Sequence, residues 1–275
     1  MTRSLAFATD LALRRAEGAR IERRAGGAVV SMPGNPGFRW GNFLLVPRAG
    51  DPAERRREHG AAFPGAGFVT VGVDDPQPEL DEDAWRSAGF SIERLAVLTA
   101  EGPVTAADTG TRPLTSDADW AAEARIALEL EEAPDAAHLL FTRRRTAERR
   151  RAATAGATVW LGVEAEEGIV ATAGIADAGD GVARFQDVQT AVASRRRGHA
   201  SALVAAGVRT AAERFGSTRF VLVAERDGPA IELYRRLGFR EVETQLQLTR
   251  LDGADEADEA DEADEGDEGA VGDGA

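Results

Sequence analysis

The sequence predicts a mixed α/β protein, α+β-like in its ordering, made of two similar halves and followed by a disordered acidic tail. Three observations lead there. The halves end alike: residues 83–90 (DAWRSAGF) run into SIERLAVLT, and residues 232–239 (ELYRRLGF) run into REVETQLQLT. Each ending reads as a short helix, a glycine suited to a left-handed cap, and a strand. Between these endings, short apolar strands and helical spacings follow one another with turn residues between them. Residues 251–275 repeat an Asp-Glu-Ala triplet without one aromatic residue, so their charges repel and they have nothing to bury. The expected units are a first lobe at 1–108, a second at 109–250 and the tail at 251–275, with the seam in EGPVTAADTGT at 101–111.

In the first half, Asp10 is expected to cap a short helix reaching Glu17. Strands are expected at 27–32, 42–46 and 68–73, with a turn at Asn35-Pro36-Gly37. Phe38 and Trp40 then stand beside small residues. They read as packing between the halves, with a binding face as the alternative.

The second half opens with a strand at 112–114 and a helix begun by Asp117 or Asp119 and continuing to Leu130. A helix at 141–153 follows, then strands at 158–164 and 169–175 around the Glu166-Glu167-Gly168 turn, and a strand at 183–190. From His199 to Phe215, apolar residues recur at helical spacing. A strand at 220–224 leads to a helix with Pro229 in its first turn and Gly238 at its end. Val242, Thr244, Leu246 and Leu248 then alternate with polar residues, as in a half-buried last strand.

Composition removes several function classes. The 275 residues are 43% hydrophobic and include no cysteine, which excludes disulfides, thiolate metal sites and cysteine nucleophiles. His59, His138 and His199 have no close partner in sequence, so no metal is expected. No segment approaches the ~20 apolar residues that span a bilayer, and the first residues are too short and broken in apolar content for a signal peptide. A cytoplasmic protein, monomer or homodimer, with no membrane partner is therefore expected. The net charge of -14 is concentrated at one end. Residues 251–275 hold 12 acids and no base, leaving 35 acids against 33 bases, all arginine, in the body. Such a body has no general electrostatic reason to bind nucleic acid.

The chemistry is concentrated in residues 188–200, VQTAVASRRRGHA. A strand gives way to a basic turn, and a long amphipathic helix starts at once. Gly198 and Ala200 leave backbone amides uncovered at the helix N-terminus, where the free N–H groups and the helix dipole favour a pyrophosphate. Arginines add charge-assisted bonds to phosphate. Tyr234, the only tyrosine, can donate a proton to a leaving group. Asp187 and Gln186 lie on the strand leading to the turn, where neighbours face opposite ways and only one can enter the cleft. Asp187 is the candidate base, and Glu164 its rival.

These residues resemble the GCN5-related N-acetyltransferase (GNAT) superfamily. Its phosphate loop, Gln or Arg, two residues, Gly, one residue, then Gly or Ala, is matched by Arg195, Gly198 and Ala200. A second signature follows about 35 residues later: the strand at 220–224, Ala230 and Tyr234 on a helix, then Leu237-Gly238-Phe239. The resemblance covers roughly residues 111–250 and implies an acyl-CoA N-acyltransferase fold and acetyl-CoA as co-substrate. It implies that Val188, Thr190, Ala191 and Val192 meet the pantetheine arm, and that Arg195, Arg196, Arg197, Gly198, His199, Ala200 and Ser201 surround the pyrophosphate. It further implies that Tyr234 is the general acid toward a small-molecule or peptide amine. Two departures stand out: Val192 where the family often has proline, and Asp227 where it often has asparagine. A non-catalytic acyl-CoA sensor is the alternative.

The first half ends like the second, with Trp85 in place of Tyr234. Its basic stretch at 55–60, RRREHG, lacks the loop spacing and is expected to follow no strand. This half reads as a degenerate copy that walls the acceptor pocket, with Trp40 or Trp85 against it.

Overall fold

A computed structural model describes residues 2–131 and 134–251. The acidic tail expected from the sequence lies outside the described residues. In chain order the elements are α1 (Leu5–Ala16), β1 (Arg20–Arg24), β2 (Gly27–Ser31), β3 (Phe43–Val46), α2 (Pro52–Ala62), β4 (Phe68–Val73), α3 (Glu82–Ser87) and β5 (Ser91–Glu101). The second half continues with β6 (Thr111–Pro113), α4 (Asp117–Glu129), α5 (Ala136–Thr154), β7 (Thr158–Ala165), β8 (Gly168–Gly179) and β9 (Val182–Thr190). It closes with α6 (His199–Phe215), β10 (Arg219–Glu225), α7 (Pro229–Arg236) and β11 (Arg240–Leu251).

Local chemistry explains most boundaries. The Ser116 hydroxyl and the Asp119 carboxylate cap α4 reciprocally, and Asp135 caps α5. Gly89 and Gly238 adopt φ of 76° and 90° after α3 and α7, the left-handed cap expected of both. Asp10 does not start a helix. It lies in the middle of α1, whose cap is Ser4, and its carboxylate pairs with Arg184 at 2.9 Å. The helix entry is held by distant groups, because Asp74 accepts from the Ser4 N–H and Glu243 from the Leu5 N–H. The stretch at 55–60 lies within α2, which Asp51 and Pro52 initiate and which follows β3 after a five-residue loop, so it does follow a strand. β1, RIERR, carries no apolar alternation; it forms the sheet edge, where charged side chains discourage further pairing.

All eleven strands described form one sheet, in the order β1-β2-β3-β4-β11-β5-β10-β9-β8-β7-β6. The final strand of each half therefore sits inside the sheet of the other. β11 lies antiparallel between β4 and β5, and β5 lies antiparallel between β11 and β10. The last strand is thus central in the sheet, with Leu246 and Leu248 fully enclosed. A one-residue bulge between Glu241 and Glu243 breaks its alternation and leaves Val242 exposed.

The largest core lies under α6, where Leu203, Val204, Val208 and Ala211 pack against Ile175, Phe185 and Phe220. Each large side chain buried there contributes roughly 1.5–3 kcal/mol. Gly207 is required for the fit, since a Cβ at that position would stand 2.4 Å from the Phe185 ring. This packing lays α6 across β8 and β9.

Candidate functional site

Strands β9 and β10 are parallel and pair only at their beginnings, from Val182–Arg219 to Arg184–Val221. Beyond that point β9 stays with β8 and β10 with β5, so the two strands splay apart. The opening leads to a cavity of about 290 Å³ lined by Val188, Thr190, Arg195, Gly198, Ala200 and Tyr234, among others. Gly198 is the N-cap of α6 at φ 85°, a left-handed conformation that glycine adopts without cost, and no side chain caps the helix. Its carbonyl starts the helical ladder by accepting from the Ala202 N–H. The amides of His199, Ala200 and Ser201 therefore lie in the unpaired first turn, at the positive end of the dipole.

The strand end is partly engaged. The Ala191 N–H donates to the Val170 carbonyl at 2.9 Å, and the Val192 N–H to the Glu129 carboxylate at 2.8 Å. Arg195 reaches the Thr190 carbonyl at 3.4 Å, and Arg195 and Arg196 line the cavity while Arg197 faces solvent. His199 contacts the Thr109 hydroxyl at 3.2 Å, tying the seam between the halves to the loop.

Tyr234 is held on α7 by its position one turn before Gly238 and packs its ring against Phe239, 6.3 Å between centroids. The residue is 5% exposed, and burial pushes its phenol up to about 12. It remains a proton donor throughout the neutral range.

Asp187 departs from simple strand geometry. Asp187 and Val188 together oppose Ala173 of β8, and Asp187 takes φ 47° at this bulge. The bulge cancels the alternation expected of neighbouring residues: Gln186 and Asp187 both line a cavity of about 410 Å³ beside the splay. Gln189 lines both cavities. Arg149 donates to the Asp187 carboxylate at 2.6 Å. Burial works to raise this carboxyl, but Arg149, and beyond it Arg145, Arg14 and Arg184, outweigh burial and hold it below the ordinary carboxylate range.

Glu164 lies elsewhere. It is exposed on β7, next to the sheet edge, and paired with Arg112 at 2.6 Å, so it is no rival to Asp187. The three histidines sit apart on α2, α5 and α6, and no group of three or more acidic or histidine residues able to hold a metal occurs among the described residues. Among those residues no helix is long and apolar enough to cross a membrane.

The corresponding place in the first half is closed. β3 and β4 pair to their ends at Val46–Val73, and the Asp74 N–H extends the ladder to the Val46 carbonyl at 2.7 Å. At the start of α2, Asp51 accepts from the Glu54 N–H and Glu54 adds a second carboxylate, which occupies one first-turn donor and repels phosphate. Trp85 is buried against Phe90 and borders a separate cavity near residues 47–50, so it does not line the cavity beside Asp187. Trp40 does, together with Phe38, whose ring packs on Phe141 of α5 at 5.7 Å and under the Arg145 guanidinium at 4.2 Å. Phe38 therefore packs between the halves, as expected, and also lines the cavity.

The sequence reading missed Asp10, Arg14, Arg149, Arg184, Gln189 and Gln245, all of which line the Asp187 cavity. They come from α1, α5, β9 and β11. The one signal available was the glutamine alternating with leucine at 245–248.

Residues 161–248 match the family model described as FR47-like protein. No curated protein matches the chain. Solved structures align over most of it, among them the following three. One is a functionally unknown conserved protein from Staphylococcus epidermidis, with 13% identity and TM-score 0.68, covering 85% of this chain and 94% of its own. Another is a GCN5-related N-acetyltransferase from Kribbella flavida, with 18% identity and TM-score 0.58, covering 90% and 96%. The third is a tandem GNAT protein from the clavulanic acid biosynthesis pathway, with 16% identity and TM-score 0.50, covering 84% and 80%. The chain thus has the mixed α/β fold of GCN5-related N-acetyltransferases, with an FR47-like sequence pattern at 161–248.

Proposed function

We propose that the protein is an acetyl-CoA-dependent N-acetyltransferase acting on a primary amine, in the cytoplasm as a monomer or homodimer. The observation that carries this reading is the uncapped start of α6, with Gly198 at φ 85°, at the mouth of the β9–β10 splay. The residues present fit the co-substrate. Val188, Thr190, Ala191 and Val192 would border the pantetheine arm, and Arg195, Arg196, Arg197, Gly198, His199, Ala200 and Ser201 the pyrophosphate. Acetyl-CoA supplies a thioester carbonyl open to attack and a thiolate leaving group.

The chain's own residues then manage two protons. The acceptor must attack as a neutral amine, and Asp187 takes the proton it sheds, directly or through water. Tyr234, protonated because it is buried, returns a proton to the departing sulfur. The unpaired amides of the site stabilise negative charge as it develops. Residues 1–108 act as a degenerate copy of the fold: their phosphate position is closed, but α1, Phe38 and Trp40 complete the acceptor side.

A second reading, an acyl-CoA sensor, draws on the Arg149–Asp187 pair, which lowers the basicity of the one candidate base. Calorimetric titration with acetyl-CoA followed by thiol release over a panel of amines separates the two. Binding with release is expected; binding without release on any amine would leave the sensor, and no binding would end both.

A further inference from the structure

The cavity beside Asp187 is lined by four arginines, Arg14, Arg145, Arg149 and Arg184, which at first sight suit a carboxylate or phosphate. The ion pairs say otherwise. Arg145 is held by Glu17 and Glu148, and Arg14 also by Glu17. Arg149 is held by Glu123 and Asp187, and Arg184 by Asp10. Of the carboxylates in these pairs Asp10 and Asp187 line the cavity, and Glu131 lines it as well. Asp187 is the carboxylate of these pairs that keeps the most open surface, its side chain 34% exposed while those of Asp10, Glu17, Glu123 and Glu148 are 14% or less. The open carboxylate of Asp187 is matched by a cationic group, whereas an anionic one finds each of the four guanidinium groups already held by a carboxylate.

Two glutamines refine the class. Gln186 is 8% exposed with neither amide atom hydrogen-bonded, and Gln245 is 1% exposed with its Oε1 free while its Nε2 donates to Asp10. The Nε atoms of buried Arg149 and Arg184 are also unpartnered. Buried polar groups left single cost on the order of 1–3 kcal/mol each, which a ligand bearing both a donor and an acceptor recovers. Through Phe38, Trp40 and Phe141 the cavity shares its lining with an outer groove of about 740 Å³, where Phe63, Pro36 and Pro64 add further apolar surface. Such surface takes an aromatic or branched apolar body.

Building on the acetyltransferase reading, we propose that the acceptor is an α-amino amide: a free amine flanked by a neutral amide, on an aromatic or large apolar side chain, with no carboxylate beside the amine. The amine lies by Asp187, the amide by Gln186 and Gln245, and the apolar body in the groove between Phe38, Trp40 and Phe141.

The test titrates the full-length protein, without acetyl-CoA, with L-phenylalaninamide, phenethylamine and L-phenylalanine. Phenylalaninamide is expected to bind roughly tenfold or more tightly than phenylalanine, which carries the disfavoured carboxylate, and more tightly than phenethylamine, which lacks the amide. In Gln186→Leu, checked for an unchanged melting profile, the advantage over phenethylamine should disappear; Gln245→Met is the second variant. Phenylalanine binding as well as its amide overturns the proposal, as does binding of none of the three. A tripeptide beginning with phenylalanine distinguishes two sources of the chemistry. Binding like the amide marks a peptide amino terminus, weaker binding marks a small aminoacyl amide, and either result upholds the proposal. Acetyl-CoA is titrated separately, so loss of its binding counts against the acetyltransferase reading and leaves the acceptor result standing.

Discussion

Arg145 and Glu17, 128 residues apart, meet as a bidentate pair with both guanidinium-to-carboxylate distances at 3.0 Å, and both side chains are almost wholly buried. The pair joins α5 of the second half to the end of α1 in the first. Burial acts to raise the Glu17 carboxyl, but Arg14 and Arg145 outweigh it and hold it below the ordinary range.

Breaking this pair from one side should be costly. Glu17→Gln leaves two buried guanidinium groups short of a carboxylate, so a loss of about 3–5 kcal/mol is expected, or a fall in Tm on the order of 10 °C. The double variant Arg14→Met/Glu17→Gln should lose less than Glu17→Gln, because Arg14, whose ion pair is with Glu17, is removed with it while Arg145 keeps Glu148. Chemical denaturation of the three proteins measures this; a double variant less stable than the single would contradict it.

The sign of the pH dependence follows from the lowered Glu17 carboxyl. Its contribution is full above the unfolded carboxylate range and is lost as pH falls through the lower folded value. Wild type should therefore lose stability on acidification below that range more steeply than Glu17→Gln. Melting curves at stepped pH read this directly.

Gly198→Glu should abolish acetyl-CoA binding while the lobe stays folded. No atom lies within 4 Å of a Cβ built there, so the variant causes no internal clash. It brings a backbone penalty of roughly 1–2 kcal/mol at φ 85° and a negative charge to the helix start. Arg195→Ala should weaken binding more modestly, by roughly 1.5–3 kcal/mol. Calorimetry beside circular dichroism is the measurement, and wild-type affinity in Gly198→Glu would return the arginine run to a solvated surface.

Tyr234→Phe should lower kcat by roughly 10²–10⁴-fold with little change in acetyl-CoA affinity. A phenol pushed up to about 12 stays protonated, so wild-type kcat should show no alkaline fall from this group below about pH 11. A kcat unchanged in the variant would assign the proton to water.

The exchange of β5 and β11 gives the last expectation. Without residues 1–108, β10 and β11 lose the strand between them and their edges lie bare. Residues 109–275 expressed alone should aggregate, and co-expression with 1–108 should restore a soluble pair that co-purifies. A soluble, monomeric second half would show that β5 is dispensable.

What the sequence determined by itself was local. The periodicity from His199 to Phe215, the cap glycines Gly89 and Gly238, and the Arg195–Gly198–Ala200 spacing depend on neighbours within a few turns, and the structure has helices and turns at those places. Only the tertiary structure decided what long-range contact controls. It put β11 in the centre of the sheet, made Asp10 a partner of Arg184 instead of a helix cap, and turned Gln186 and Asp187 into the same cavity through a bulge. The cavity beside Asp187 is the clearest instance. The fold alone brings Glu17 to Arg145, Asp187 to Arg149 and Asp10 to Arg184, each from a different element, so that cations lining the cavity are already paired. Charge compensation in a buried site depends on distances of a few ångströms between groups far apart in the chain, and no local pattern encodes them.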